Sequence, residues 1–92
     1  MEMSFYFITR GCRETGDYDV FIVRDGFERK LDKHVRGNKK SGLKDARRIV
    51  ASEVSAINLP YDAVVTHYCE KPGREKNPRH DWTVQDYKQL LK

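Results

Sequence analysis

Ninety-two residues suffice for one domain with one modest core, because a chain this short buries only about 60 to 65% of the surface its unfolded form exposes. A 38% hydrophobic share with ten aromatic residues, beside 35% charged residues, fits a folded globule with a heavily solvated surface and argues against a disordered chain. The net charge of +4 is uneven: Arg29 to Arg48 holds nine Lys or Arg against two acids, and the rest of the chain is net acidic.

Met3 to Arg10 alternates Met3, Phe5, Phe7 and Thr9 against Ser4, Tyr6, Ile8 and Arg10, which predicts a strand with two apolar faces and therefore a central place in a sheet. Gly11 to Asp17 has turn chemistry. Tyr18 to Arg24 reads as a second strand, Asp25-Gly26 as a two-residue type I′ turn, and Phe27 to about Val35 as the returning third strand. That third strand sets Phe27, Arg29, Leu31, Lys33 and Val35 on one side and Glu28, Lys30, Asp32 and His34 on the other. Charge of this density is how an edge strand avoids pairing with strangers.

Arg36 to Gly42 reads as a flexible basic loop. A helix is expected from Leu43 to about Asn58, with Leu43, Ala46, Val50, Val54 and Ile57 on one stripe, Ser41 or Gly42 at its start and Leu59-Pro60 beyond its end. Glu53 falls inside the apolar arc. Ala63 to Glu70 predicts a fourth strand. Lys71 to Asp81, with two prolines and a glycine, predicts a long loop, and a short helix is expected from Asp81 or Thr83 to Lys92, docked through Trp82, Tyr87, Leu90 and Leu91. The expectation is a single α+β domain over residues 1–92, an antiparallel sheet of three to four strands with one main helix packed on it, in the order βββαβα.

No apolar run approaches the roughly 20 residues of a spanning helix, and the start MEMSFYFITRG lacks a basic leader before an apolar stretch. A soluble, unexported protein with no membrane partner is expected. Cys12 and Cys69 are too few for a disulfide framework, so two free thiols are the default, although distance and geometry would decide whether they pair. His67 and Cys69 share one face of a strand, and Cys12 or His80 could complete a metal set. Without CxxC or HxxxH spacing, a half-buried histidine beside a core thiol is the preferred reading.

The basic segment carries the strongest functional signal. Lys44, Arg47 and Arg48 project within an arc of about 100° on the expected helix, and Arg36, Lys39 and Lys40 precede it. Cations in the first turn oppose the helix dipole by roughly 0.3 to 1 kcal/mol each, so their presence points to an anionic partner such as phosphate. With Arg29 and Lys33 on the third strand, these eight residues form the candidate nucleic-acid contact. A merely solvated basic face is the alternative. Tyr6, Phe21, Tyr61, Tyr68 and Trp82 could each offer a ring to an unpaired base, but most are expected to serve the core.

Catalysis has weaker support. Glu28-Arg29-Lys30, with Asp19 on the neighbouring strand, faintly resembles the metal site of restriction-type nucleases. A two-residue turn at Asp25-Gly26 pairs Asp19 near Asp32, however, several residues from Glu28. Nothing resembles a nucleophile triad, a P-loop or a dinucleotide fold, so no enzyme activity, metal, cofactor or small-molecule substrate is expected.

The stretch GNKKSGLKDARRIVASEVSAI, following three strands, resembles the end of a double-stranded-RNA-binding domain, whose Lys-rich helix start contacts phosphates. The leading helix of that family has no counterpart here. Over its whole length, from MEMSFYFITRGCRETGDYDVFIVRDGFERK to DWTVQDYKQLLK, the chain resembles phage-encoded anti-CRISPR proteins that inhibit type I-F systems. These share no common motif, so no residue roles carry over. The resemblance implies action in the cytoplasm of an infected bacterium on the crRNA-guided surveillance complex, contacting its Cas backbone subunits and its crRNA and blocking target DNA. Many such inhibitors are acidic DNA mimics, and this basic chain departs from them.

Overall fold

A computed structural model of the chain describes residues 5–12, 14–70 and 79–92. Met3 and Ser4, residues 71–78 of the expected loop, and the side chains of Cys12, Glu70 and His80 lie outside the described residues.

Two antiparallel connections form first along the chain: β1 (Phe5–Cys12) with β2 (Asp17–Arg24), then β2 with β3 (Phe27–Val35). The Asp25-Gly26 link takes positive φ at both residues, 54° and 81°, as a type I′ turn requires. α1 (Gly42–Ala56) returns across the sheet, and β4 (Val64–Glu70) then pairs parallel with β1. β5 (Arg79–Thr83) adds an antiparallel strand outside β4, and α2 (Val84–Gln89) follows it directly. The sheet order is β3-β2-β1-β4-β5. As expected, the domain is α+β, with β1 in the centre and the charged β3 at an edge.

Three features differ from the sequence reading. The sheet is mixed and has five strands, because the chain returns from α1 on the far side of β1, where only a parallel partner fits. Trp82, expected on the last helix, lies in β5 opposite Val65. Its strand forms from the end of the supposed loop because β4 offers an open edge, and Thr66 Oγ1 donates to Asp81 Oδ1 at 2.6 Å across the pair. Finally, a bulge in β3 sets three residues against one of β2 between the Phe21–Lys30 and Asp19–His34 pairs. Asp19 therefore faces His34, not Asp32.

The core lies between the sheet and the helices. Phe7, Tyr18, Val20, Ile22, Leu31, Val35 and Val65 meet Ala46, Val50, Ala51 and Val54 of α1 and Val84 and Tyr87 of α2. Of the expected α1 stripe, Ala46, Val50 and Val54 are buried and Ala51 joins them, while Leu43 is only partly buried and Ile57 lies past the helix end at Ala56, where the chain turns extended. The start of α2 is fixed by a capping box, in which Thr83 Oγ1 accepts the Asp86 N–H and Asp86 Oδ2 accepts the Thr83 N–H. The Tyr87 hydroxyl donates to the Val65 carbonyl at 2.8 Å, and burial, helped by Asp81, Cys69 and Asp86, pushes this phenol far above its ordinary value of 10.0.

His67 is buried in this core, its Nε2 2.6 Å from Thr9 Oγ1 and 3.8 Å from Cys69 Sγ. The expected neighbour, a core thiol, is there, but the histidine is fully buried and not half-buried. Among the described residues no three His, Cys, Asp or Glu side chains gather as they would around a metal ion, and no helix is long and apolar enough to cross a membrane.

Candidate nucleic-acid interface

The candidate cations fall into two groups on the β3 side of the molecule. Arg29 and Lys33, both exposed, line a groove between the sheet edge and α1 together with Leu31, Asp32, Ile49 and Glu53. Glu53 thereby finds a physical setting, because the apolar arc of α1 ends at this basic groove. The second group surrounds the start of α1. Lys39, Lys40, Lys44 and Arg48 are exposed, Arg47 is half-buried, and Arg36 is exposed but committed elsewhere.

Arg36 donates to the Tyr18 and Val35 carbonyls at 3.4 and 3.0 Å and to Asp19 Oδ1 at 2.9 Å. These bonds fasten the end of β3 to β2, so Arg36 braces the site more than it faces a ligand. Burial alone pushes the Asp19 carboxyl up, but Arg36 and Lys30 more than offset it and hold the group below its ordinary value of 3.8. The pairing contributes fully above the unfolded carboxyl's value of about 3.9 and is lost as pH falls through the lowered folded value. An NMR titration should place Asp19 below 3.8, and Arg36→Gln should raise it. An Asp19 value unmoved by that substitution would remove the brace.

The loop read as flexible is tied down. Gly37 N–H donates to Asp17 Oδ1 at 2.7 Å, and Asn38 N–H to the Gly16 carbonyl at 3.1 Å. Asn38 Oδ1 accepts the Ser41 N–H at 3.0 Å, while its Nδ2 donates to Asp45 Oδ2 at 2.8 Å. Ser41 occupies the cap position without capping through its side chain. Its hydroxyl donates to Asp45 instead, at 3.3 Å, and Arg48 lies 3.9 Å from the same carboxylate. Asp45 thus supplies an internal anion to the first turn. The opposition between cations and helix dipole is weaker than the sequence implied, and the need for an external anion shrinks with it.

What stands is the state of the lysines. Among the described residues, Lys39, Lys40 and Lys44 have no carboxylate within 4.0 Å, and the backbone presenting the first two is fixed. No protein family, curated protein or solved structure matches the chain. What the site can bind therefore follows from its own geometry.

The nuclease-like pair does not assemble. Glu28 faces Val23 of β2 while Asp19 lies on β2 itself, four residues away, or about 13 Å along a strand. Each carboxylate has its own cation: Arg10 reaches Glu28 with both guanidinium nitrogens, the longer contact 3.1 Å, and holds its carboxyl below the ordinary 4.5.

The aromatic rings also sit differently from expectation. Tyr6, Phe21 and Tyr68 are half-buried on the sheet face opposite the helices, with Tyr6 and Tyr68 edge-to-face at 5.3 Å and the Arg10 and Arg79 guanidiniums over Phe21 and Tyr68 at 4.8 and 5.6 Å. Trp82 packs on Tyr87 at 5.4 Å, and Tyr61 is exposed beneath Lys88. Sequence reasoning missed Asp17, Asn38 and Asp45 as supports of the site. An Asn three residues before a helix-cap serine is a local signal for such a turn.

Proposed function

We propose that this protein is a non-catalytic inhibitor that docks on a crRNA-guided type I-F surveillance complex in the bacterial cytoplasm. In this reading Cas backbone subunits give specificity, while Lys39, Lys40, Lys44 and Arg48, with Arg29 and Lys33 beside them, meet guide-RNA phosphates and obstruct target DNA. One observation supports the nucleic-acid part: three lysines are exposed and free of carboxylate partners among the described residues, two of them on a loop held by Gly16, Asp17 and Asn38. Fixing the backbone before binding lowers the ordering cost that a mobile basic loop would incur. The inhibitor part comes from the likeness of the whole chain to type I-F anti-CRISPR proteins.

The test is co-purification with the crRNA-loaded complex, followed by measurement of target-DNA binding. Inhibition should saturate at a fixed molar ratio and not deepen with time. If about four phosphates of a single strand are neutralised, log K should fall against log salt with a slope near −3. Equal affinity for naked crRNA and for the loaded complex at moderate salt would instead make the chain a free nucleic-acid binder. Failure to be retained by the loaded complex ends the inhibitor reading.

A further inference from the structure

The end of the β2-β3 hairpin carries a second feature, which shares Arg29 with the basic rim. Arg24 pairs with Phe27 and Ile22 with Arg29 across the two strands, so these four side chains form a square on the helix side of the sheet. With Asp25 they line a pocket of about 320 Å³ to which α1 contributes no residue, at the lower end of the range of about 300 to 1,000 Å³ for small-ligand sites. Ile22, buried, is its floor. Phe27 is 80% exposed, the most exposed large apolar side chain among the described residues, and the two-residue Asp25-Gly26 turn precedes it. Arg24 and Arg29 are exposed, and among the described residues neither has a carboxylate within 4.0 Å.

An apolar peptide side chain entering here would desolvate two guanidiniums without giving them a partner. A nucleotide supplies both halves of the complement in one unit. Its base can stack on an aromatic ring, and its phosphate can take charge-assisted hydrogen bonds from arginine. We infer that the hairpin-tip pocket receives one unpaired nucleotide of a single strand, with its base against Phe27 and its phosphate between Arg24 and Arg29. Of the proposed function this borrows the nucleic-acid partner and the cation Arg29. It adds base contact at a second point of the surface, where the lysine rim supplies phosphate contact alone.

The experiment uses the full chain without any Cas protein, so the inhibitor reading can fail independently. A fluorescent oligouridylate of about ten nucleotides is titrated at a low salt of roughly 50 mM, with inorganic polyphosphate as a ligand that has charge but no base. Phe27→Ala should weaken oligouridylate about tenfold and leave polyphosphate unchanged, while Phe27→Trp should retain binding. Arg24→Glu with Arg29→Glu should weaken both ligands. Because Phe27 and both arginines are exposed, the variants should fold, which circular dichroism checks. Wild-type failure to bind oligouridylate, normal binding by Phe27→Ala, or equal losses of the two ligands in Phe27→Ala would overturn the inference. It also fails if Phe27→Ala loses the crRNA-loaded complex while keeping oligouridylate, since the pocket then holds a protein side chain.

Discussion

Replacing Gly16 by Ala should cost about 2 to 5 kcal/mol of stability. Gly16 has φ +75°, a backbone state that costs an L-residue about 1 to 2 kcal/mol. A Cβ there would also stand 2.4 to 2.6 Å from the backbone of Asn38 and Lys39, and backbone cannot rotate away as a side chain can. Moving it adds a cost of about 1 to 3 kcal/mol, typical of overpacking. Gly26→Ala separates the two causes, because Gly26 has φ +81° with nothing within 4 Å of its would-be Cβ. Urea unfolding should show a midpoint shift at unchanged slope for both variants, larger for Gly16→Ala. The same variant should weaken binding to the loaded complex, since the Gly16 carbonyl holds Asn38 and hence the loop bearing Lys39 and Lys40. Equal stability losses at the two glycines would show that the junction yields more readily than its packing implies.

Replacing Lys39, Lys40 and Lys44 together by Ala should weaken binding to the crRNA-loaded complex about 100-fold near 0.1 M salt. Each phosphate contact on a single strand contributes about 0.7 to the log–log salt slope, so losing three flattens it by about 2. Stability should change by no more than about 0.5 kcal/mol, because these are exposed side chains without ion-pair partners among the described residues. Arg36→Ala should behave in the opposite way: its bonds to Tyr18, Val35 and Asp19 make it a stability variant, with little change of salt slope. Affinity and slope unchanged in the triple variant would take the lysine rim out of the mechanism.

The elements read best from the sequence are those whose signals are local. Two-residue alternation with a DG turn gave β2 and β3, and the 3.6-residue stripe gave α1 to within two residues at its end. β5 was not legible, because RHDWT has no alternation of its own and follows two prolines and a glycine. It becomes a strand by pairing with β4. The place of the candidate cations along the β3 side followed from the edge position of that strand, but their condition did not. Arg36 is bound to Asp19, 17 residues away, and the loop that composition made flexible is pinned by Gly16 and Asp17 from another turn. Arg24 and Phe27 gave no sign either. Arginine and phenylalanine at a hairpin tip read as ordinary strand residues until the helix is seen to leave them uncovered.

By itself the sequence determined the α+β class, the central β1, the charged edge at β3, the main helix and the concentration of positive charge between Arg29 and Arg48. Each follows from periodicity, turn chemistry or composition, which act between near neighbours. The tertiary structure alone decided the parallel partner of β1, the fifth strand, the bulge that sets Asp19 against His34, and which basic residues stay unpaired. The physical reason is that a strand's partner and a cation's carboxylate are supplied by segments distant in the chain. The pattern around Lys39 records a charge, and only the packing of Gly16, Asn38 and Asp45 against one another determines which of those charges is left for a ligand.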